Sequence, residues 1–213
     1  FNIYLPFNFN SPYKALNIKD FWRRWHITLS SFLREYIYIP LGGNKLNKYG
    51  VVRNIMITFL IGGIWHGAGW TFIFWGLLHG LGVSLHYLWT KTGIVINSIL
   101  ARAITLLFIN FTWVFFRAEE WKDAIKILEG MIGMNGLGGV LSFRRFTSQF
   151  LDDFLIFIFV FILSFVLLFF KNTSTYLQKD FVIKKRMVIF SSLILLVSIG
   201  HLSQVHQFLY FQF

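Results

Sequence analysis

Apolar and polar positions fall into long blocks along this chain. Residues 1–53 are mixed, aromatic and basic, and are broken by Pro6, Pro12 and Pro40. We read them as a cytoplasmic or interfacial basic segment. Within it, 29–41 alternates apolar and polar residues around Arg34 and Glu35, the pattern of a stretch that lies at the interface or re-enters the membrane. From residue 54 to 90 there is no charge, a run of 37 residues. One membrane span needs only about 20. Gly62, Gly63, Gly67 and Gly69 interrupt the run, so it predicts two helices, or one short and one full, meeting near His66. A third span follows over 99–116, and 54–116 together form the predicted core.

Residues 117–150 turn polar again. Trp121 to Met134 places Trp121, Ala124, Ile125, Leu128, Met131 and Ile132 on one face, which predicts an amphipathic surface helix ended by the glycines from Gly133 onward. Residues 151–213 hold the C-terminal spans: 154–170, then a basic stretch over 171–186, then 187–204. Lys and Arg mark the cytoplasmic side of a span, which puts 14–53 and 171–186 inside. Counting two spans in 54–90 makes these assignments consistent and leaves 117–150 outside. The predicted fold is an all-α integral membrane protein, a multi-span helical bundle with short interfacial or re-entrant helices.

Composition narrows the function classes. Of 213 residues, 56% are hydrophobic and 14% charged, where soluble domains carry about 25% charged residues. Too little polar surface is available for an ordinary cytosolic enzyme, and too much apolar sequence for a disordered chain. The 27 Phe, 8 Trp and 8 Tyr suit lipid-facing surfaces with aromatic interface belts. The absence of Cys excludes disulfide frameworks, thiol catalysis and Cys-type zinc sites. The net charge of +11 comes from basic residues that flank apolar runs. They read as topology signals facing anionic lipid, not as a nucleic-acid patch. The chain opens with Phe, in mid-pattern, which leads us to expect the C-terminal part of a longer protein.

Chemistry is concentrated in histidine. His66, in GGIWHGAGW, lies deep in the charge-free run, where a polar side chain is costly unless it faces the bundle interior or a wet cavity. It reads either as a functional group or as a structural partner to a neighbouring helix. His26, in DFWRRWHITLS, stands beside Asp20, Arg23 and Arg24, and its bland alternative is an interfacial basic cluster anchored by Trp22 and Trp25. His79 and His86 are seven residues apart and share a helix face. His201 and His206 read as interfacial. No carboxylate or Cys lies between residues 36 and 118 and no HExxH occurs, so no metal site is expected. Nucleophile elbows, Walker loops and dinucleotide fingerprints are likewise missing from the sequence. What remains is a buried imidazole, whose ordinary pKa near 6.5 suits it to act as general base on a hydroxyl attacking an acyl donor.

Three stretches, DFWRRWHITLSSFLREYIYIPLGG (20–43), GGIWHGAGWTFIFWGLLHG (62–80) and NFTWVFFRAEE (110–120), resemble the membrane-bound O-acyltransferase (MBOAT) family. The bacterial alginate O-acetylase branch and its peptidoglycan O-acetylating relatives are the nearest in pattern, with lipoteichoic-acid D-alanyl transfer proteins more distant. The closing FLYFQF is also similar to the end of that branch. Family members have roughly twice as many residues, and this chain resembles their C-terminal half, as one part of a single MBOAT-like membrane domain.

The resemblance implies a helical bundle around a tunnel in the bacterial cytoplasmic (inner) membrane, crossed several times by the chain. Acetyl-CoA or another acyl thioester would dock from the cytoplasm as a substrate, with no bound cofactor. The acyl group would pass outward, through a periplasmic or extracellular SGNH esterase-like partner, to a cell-envelope glycan such as alginate or peptidoglycan. His66 matches the family's catalytic histidine and His26 its second functional histidine, which would orient substrate or stabilise oxyanion charge. Trp65, Trp70 and Trp75 would line the tunnel, and Arg23 and Arg24, with Lys45 and Lys48, would attract the donor's phosphates as a diffuse field. Two other classes stay open at this stage: a transporter or channel subunit using His66 and His79, and a non-catalytic membrane scaffold of an envelope complex.

Overall fold

The computed structural model describes residues 6–134, 158–162 and 185–200, and every regular element among them is helical. Helix α1, Ile18–Arg24, starts where the Asn17 side chain accepts from the Asp20 amide at 2.8 Å, and Asp20 itself lies in the first turn, the favourable end of the helix dipole for a carboxylate. Helix α2, Ile27–Leu33, runs directly into a π-helical turn, Arg34–Tyr38, and then a 3₁₀ turn, Gly43–Lys45. The alternating stretch 29–41 is therefore built as short helical pieces. Helices α3, Lys48–His66, and α5, Ser98–Arg117, are capped by Asn47 and Asn97 side chains, which accept from Gly50 and Ile99 amides at 2.9 Å each. Between them runs α4, Trp70–Trp89.

Helices α4 and α5, of 20 residues each, are long and apolar enough to cross a membrane by length and composition. Helix α3 has 19 residues but carries Lys48 and Arg53 in its first two turns. It meets α4 through Gly67, Ala68 and Gly69 alone, so the break near His66 is present. Gly62 and Gly63, expected to contribute to the break, instead sit inside α3 and are buried. Their use is close approach. A Cβ on Gly63 would stand 2.5 Å from the Phe72 carbonyl oxygen, and one on Gly76 would stand 2.5 Å from that of Phe59. Neither distance is compatible with a side chain, so the two backbones touch only because both positions are glycine. Small residues let apolar helices gain close van der Waals contact where lipid offers no hydrophobic drive for association.

Helix α1 packs against α4 and α5 through a core that includes Phe21, Trp22, Trp75, Ile109 and Phe115. Trp22 and Trp25, interface anchors in the alternative reading of the His26 cluster, point inward: Trp22 is buried, and Trp25 stacks on Phe21 with ring centroids 5.7 Å apart. A buried hydrogen bond joins helices distant in sequence, Trp22 Nε1–H donating to His79 Nδ1 at 3.2 Å. His79 is completely enclosed, with the rings of Trp22, Trp75 and Phe108 within 4.7–5.7 Å. Asn54, also fully buried, donates from Nδ2 to the carbonyls of Leu41 and Gly43 at 3.0 and 3.3 Å, tying α3 to the turn before it. Thr58, Thr105 and Thr112 turn their hydroxyls back to carbonyls of their own helices, which satisfies each group without leaving the helix.

The predicted amphipathic helix is present as α6, Trp121–Met131. Gly133, at φ +78°, closes it: its amide reaches the Gly130 carbonyl and the Met134 amide reaches Glu129. Only part of the apolar face is seated. Ala124 is buried and Leu128 half-buried, while Ile125 and Met131 stay exposed. Lys185–Gly200 forms α7, in a second compact unit, where the last span was expected over 187–204. Most of the expected 154–170 span, the 135–150 part of the loop, His201, His206 and the closing FLYFQF lie outside the described residues.

Two stability changes follow. Gly76→Ala should cost about 1–3 kcal/mol by forcing α3 and α4 apart, read as a lower thermal midpoint of the complete protein in detergent. Trp22→Phe leaves a buried imidazole nitrogen without its donor and should cost about 1–3 kcal/mol. In a double-mutant cycle with His79→Phe, the two losses should sum to more than that of the double variant.

Candidate functional site

His66 is the last residue of α3, where the helix stops because Gly67 turns the chain into extended backbone. Ending there places the side chain against α4 and α5. Its half-buried ring is walled edge-on by Trp65 at 4.9 Å, Phe116 of α5 at 5.0 Å and Trp75 of α4 at 5.1 Å. Among the described residues, no hydrogen bond ties down either ring nitrogen. An imidazole in an aromatic wall with both nitrogens uncommitted is able to take a proton from a group brought to it.

His26 joins α1 to α2 in the left-handed conformation, φ 44° and ψ 55°, which costs a residue with a Cβ of the order of 1–3 kcal/mol. The surroundings hold it there. The Ile27 amide donates to the Asn8 carbonyl at 2.9 Å, and the Asn10 amide to the Arg24 carbonyl at 2.8 Å. His26 Nδ1 lies 3.2 Å from Asn8 Oδ1. Its ring centroid is 6.4 Å from that of Trp65, which in turn is 4.9 Å from His66. The two histidines found in the sequence, 40 residues apart, therefore flank one indole.

The other expected residues divide. Trp75 and Trp65 belong to the His66 wall, Trp75 buried and Trp65 largely exposed. Trp70, 73% exposed at the start of α4, is not part of that wall. Arg24 is committed to Asp20 through an ion pair at 2.9 Å, while Arg23 is exposed. Two residues that frame the site were not singled out from sequence. Phe116 lies within the third motif stretch, a run of aromatics with nothing to mark one among them. Asn8 has no local signal at all. His79, noted for sharing a face with His86 and as a group of the channel alternative, touches Trp75 with ring centroids 4.7 Å apart. Among the described residues, no three His, Asp or Glu side chains form a metal cage.

Two cavities lie elsewhere. One of about 160 Å³ is bordered by Trp22, Ser30, Arg34, Tyr38 and Phe59. A wider groove of about 630 Å³ runs along His86, Trp89, Ile104 and Phe108. Neither is lined by His26 or His66.

Comparison with known proteins gives a consistent picture. The model of the membrane-bound O-acyltransferase family matches residues 1–116. The chain is 57% identical over 156 residues to a peptidoglycan O-acetyltransferase of Helicobacter pylori, covering 71% of this chain and 29% of that protein. It is 43% identical over 125 residues to a probable alginate O-acetylase of Pseudomonas aeruginosa, covering 58% and 24% respectively. A teichoic acid D-alanyltransferase of Streptococcus thermophilus is 33% identical over 99 residues, covering 43% and 24%. The chain thus spans less than a third of the length of each of these relatives.

Burial holds the His26 imidazole below its ordinary pKa of 6.5. The neutral ring is the one the fold favours, so its contribution to stability is present above pH 6.5 and is lost as pH falls through the lower, folded-state value. In a histidine-labelled sample of the complete protein, the His26 ring resonance, assigned by its loss in His26→Gln, should titrate with a midpoint below 6.5.

Proposed function

The chain belongs to the membrane-bound O-acyltransferase family, and from that membership we propose that it carries the histidine centre of an enzyme that acylates a cell-envelope polysaccharide. The acyl group is acetyl, brought as a thioester such as acetyl-CoA from the cytoplasmic side. The observation that carries this reading is the setting of His66: an uncommitted imidazole at a helix end, inside the family-matched segment, walled by Trp65, Trp75 and Phe116.

The reaction is acyl transfer to oxygen. His66 takes the proton of the attacking hydroxyl as the new C–O bond forms at the thioester carbonyl. The C–S bond then breaks, and the departing thiolate takes the proton back from the imidazolium. No covalent acyl-enzyme is required. The aromatic wall covers part of the half-buried ring and narrows the approach of water, which limits wasteful hydrolysis of the thioester. Arg23 remains available for a diffuse attraction to the donor's phosphates, a role to which Arg24 contributes less because Asp20 neutralises it.

In the membrane, α3, α4 and α5 are read as successive spans of a multi-pass inner-membrane protein, with the basic start of α3 toward the cytoplasm and α6 on the outer side. Of the 14–53 segment expected on the cytoplasmic side, Trp22 and His26 instead lie within the bundle, against the middle of α4 and the end of α3. An SGNH esterase-like partner outside the membrane is the expected receiver of the acyl group before it reaches the glycan. The relatives named for peptidoglycan and alginate support a glycan acceptor. The channel alternative draws less support, since His79, its second relay group, is sealed among aromatic rings and hydrogen-bonded to Trp22.

The test is transfer of labelled acetyl from acetyl-CoA into envelope material by membranes carrying the complete protein. His66→Ala at matched expression should lower transfer by about 100-fold or more. Equal transfer by wild type and variant would assign His66 a structural role and remove the proposal's basis.

A further inference from the structure

The second histidine is set by a residue that no motif marks. Asn8 Oδ1 accepts from the Thr28 amide at 3.2 Å and from the Thr28 hydroxyl at 2.9 Å. An amide donor at Thr28 identifies the Asn8 atom as oxygen, because the Asn8 NH₂ group would face N–H against N–H. The same oxygen lies 3.2 Å from His26 Nδ1. An amide oxygen only accepts, so Nδ1 must be the nitrogen that donates. In a neutral imidazole the lone pair is then on Nε2.

We propose that Asn8 is a positioning residue that fixes His26 as the Nδ1–H tautomer, so that Nε2 faces a substrate hydroxyl as a hydrogen-bond acceptor. This rests on the acyltransferase reading and narrows it: a neutral His26 held this way cannot donate from Nε2 to an oxyanion, so of the two roles implied by resemblance it performs substrate orientation. The backbone of Asn8 belongs to the same device. Its carbonyl receives the Ile27 amide, while its side chain receives the Thr28 amide, so one residue satisfies two of the free N–H groups at the start of α2 and holds His26 in its left-handed conformation. The charged and titratable groups around the ring are few. Residues 6–10 contribute none, α1 carries Lys19, Arg23 and the Arg24–Asp20 pair, α2 contributes none, and α3 presents His66 beyond Trp65.

Two measurements on the complete protein test this. The first needs no substitution: ¹⁵N shifts of the His26 ring in wild type, assigned by their loss in His26→Gln, should report a protonated Nδ1 and an unprotonated Nε2 above the titration midpoint. An Nε2–H tautomer overturns the proposal. The second is Asn8→Asp, which keeps size and an acceptor for Thr28 but sets a carboxylate beside Nδ1–H. An opposite charge at this range favours imidazolium, so the acid limb of the pH profile for acetyl transfer should move up by about 1 pH unit or more, with activity recovering at high pH. An unshifted profile, or an equal loss at every pH, overturns it. Wild type and His66→Ala run alongside. If His66→Ala transfers normally, the acyltransferase reading fails on its own, whereas a normal His66 requirement with an unshifted Asn8→Asp profile fails this inference alone.

Discussion

Helices α3 and α4 touch backbone to backbone at Gly63 and Gly76, and the position of everything at the candidate site depends on that contact. Two helices this close can be joined by three residues, and the short joint places His66 where α3 has just ended and α4 has not yet begun. A wider separation would need a longer link and would draw Trp75 away from the His66 ring. The contact is also directional. It fixes which face of α4 looks toward α3, and therefore turns Trp75 and His79, one turn apart, toward α1 and α5. The indole-to-imidazole hydrogen bond from Trp22 then fastens α1 on the same side. The packing of small residues and the pairing of polar ones are thus successive layers of one arrangement.

The sequence made some of this visible and hid the rest for identifiable reasons. The charge-free run and the Gly67–Gly69 joint were legible, because a helix cannot continue through extended glycine and because charge is scarce where apolar helices run. Gly62 and Gly63 were misread as part of the break. A glycine that ends a helix and a glycine that admits a neighbouring backbone look alike until the neighbour is known. The flanking arginines make Trp22 and Trp25 interface anchors in the alternative reading of His26, but their inward packing depends on α4 and α5, which lie far away in sequence. Asn8 was invisible for the same reason at shorter range: it stands 18 residues before the histidine it holds. His66 stands out by its place in the charge-free run, and the resemblance singles out both histidines; the contact of His26 with Asn8 is what resemblance does not carry.

Three imidazoles within one small region show how environment divides a single residue type among different tasks. His79 is enclosed and bonded to an indole, so it serves as a polar joint between helices. His26 is oriented by an amide and kept neutral by burial, so it presents one defined nitrogen. His66 is walled by rings that use neither of its nitrogens, which leaves both uncommitted among the described residues. The expense of burying polar groups is met at His26 Nδ1 by Asn8 and only half met at His79, whose Nδ1 receives the Trp22 N–H while its buried Nε2 has no partner among the described residues. At His66 it is deferred, and a substrate hydroxyl would be the partner.

The aromatic wall around His66 also imposes an order of assembly. Its parts enter the chain in sequence: Trp65 with the histidine, then Trp75, and last Phe116 near the far end of α5. While the chain is being threaded into the membrane, the α3–α4 pair therefore exists for a time with its imidazole open on one side. Thioester chemistry on such a nascent centre would be unshielded from water. The wall of these three rings closes only when Phe116 of α5 is in place against the His66 ring.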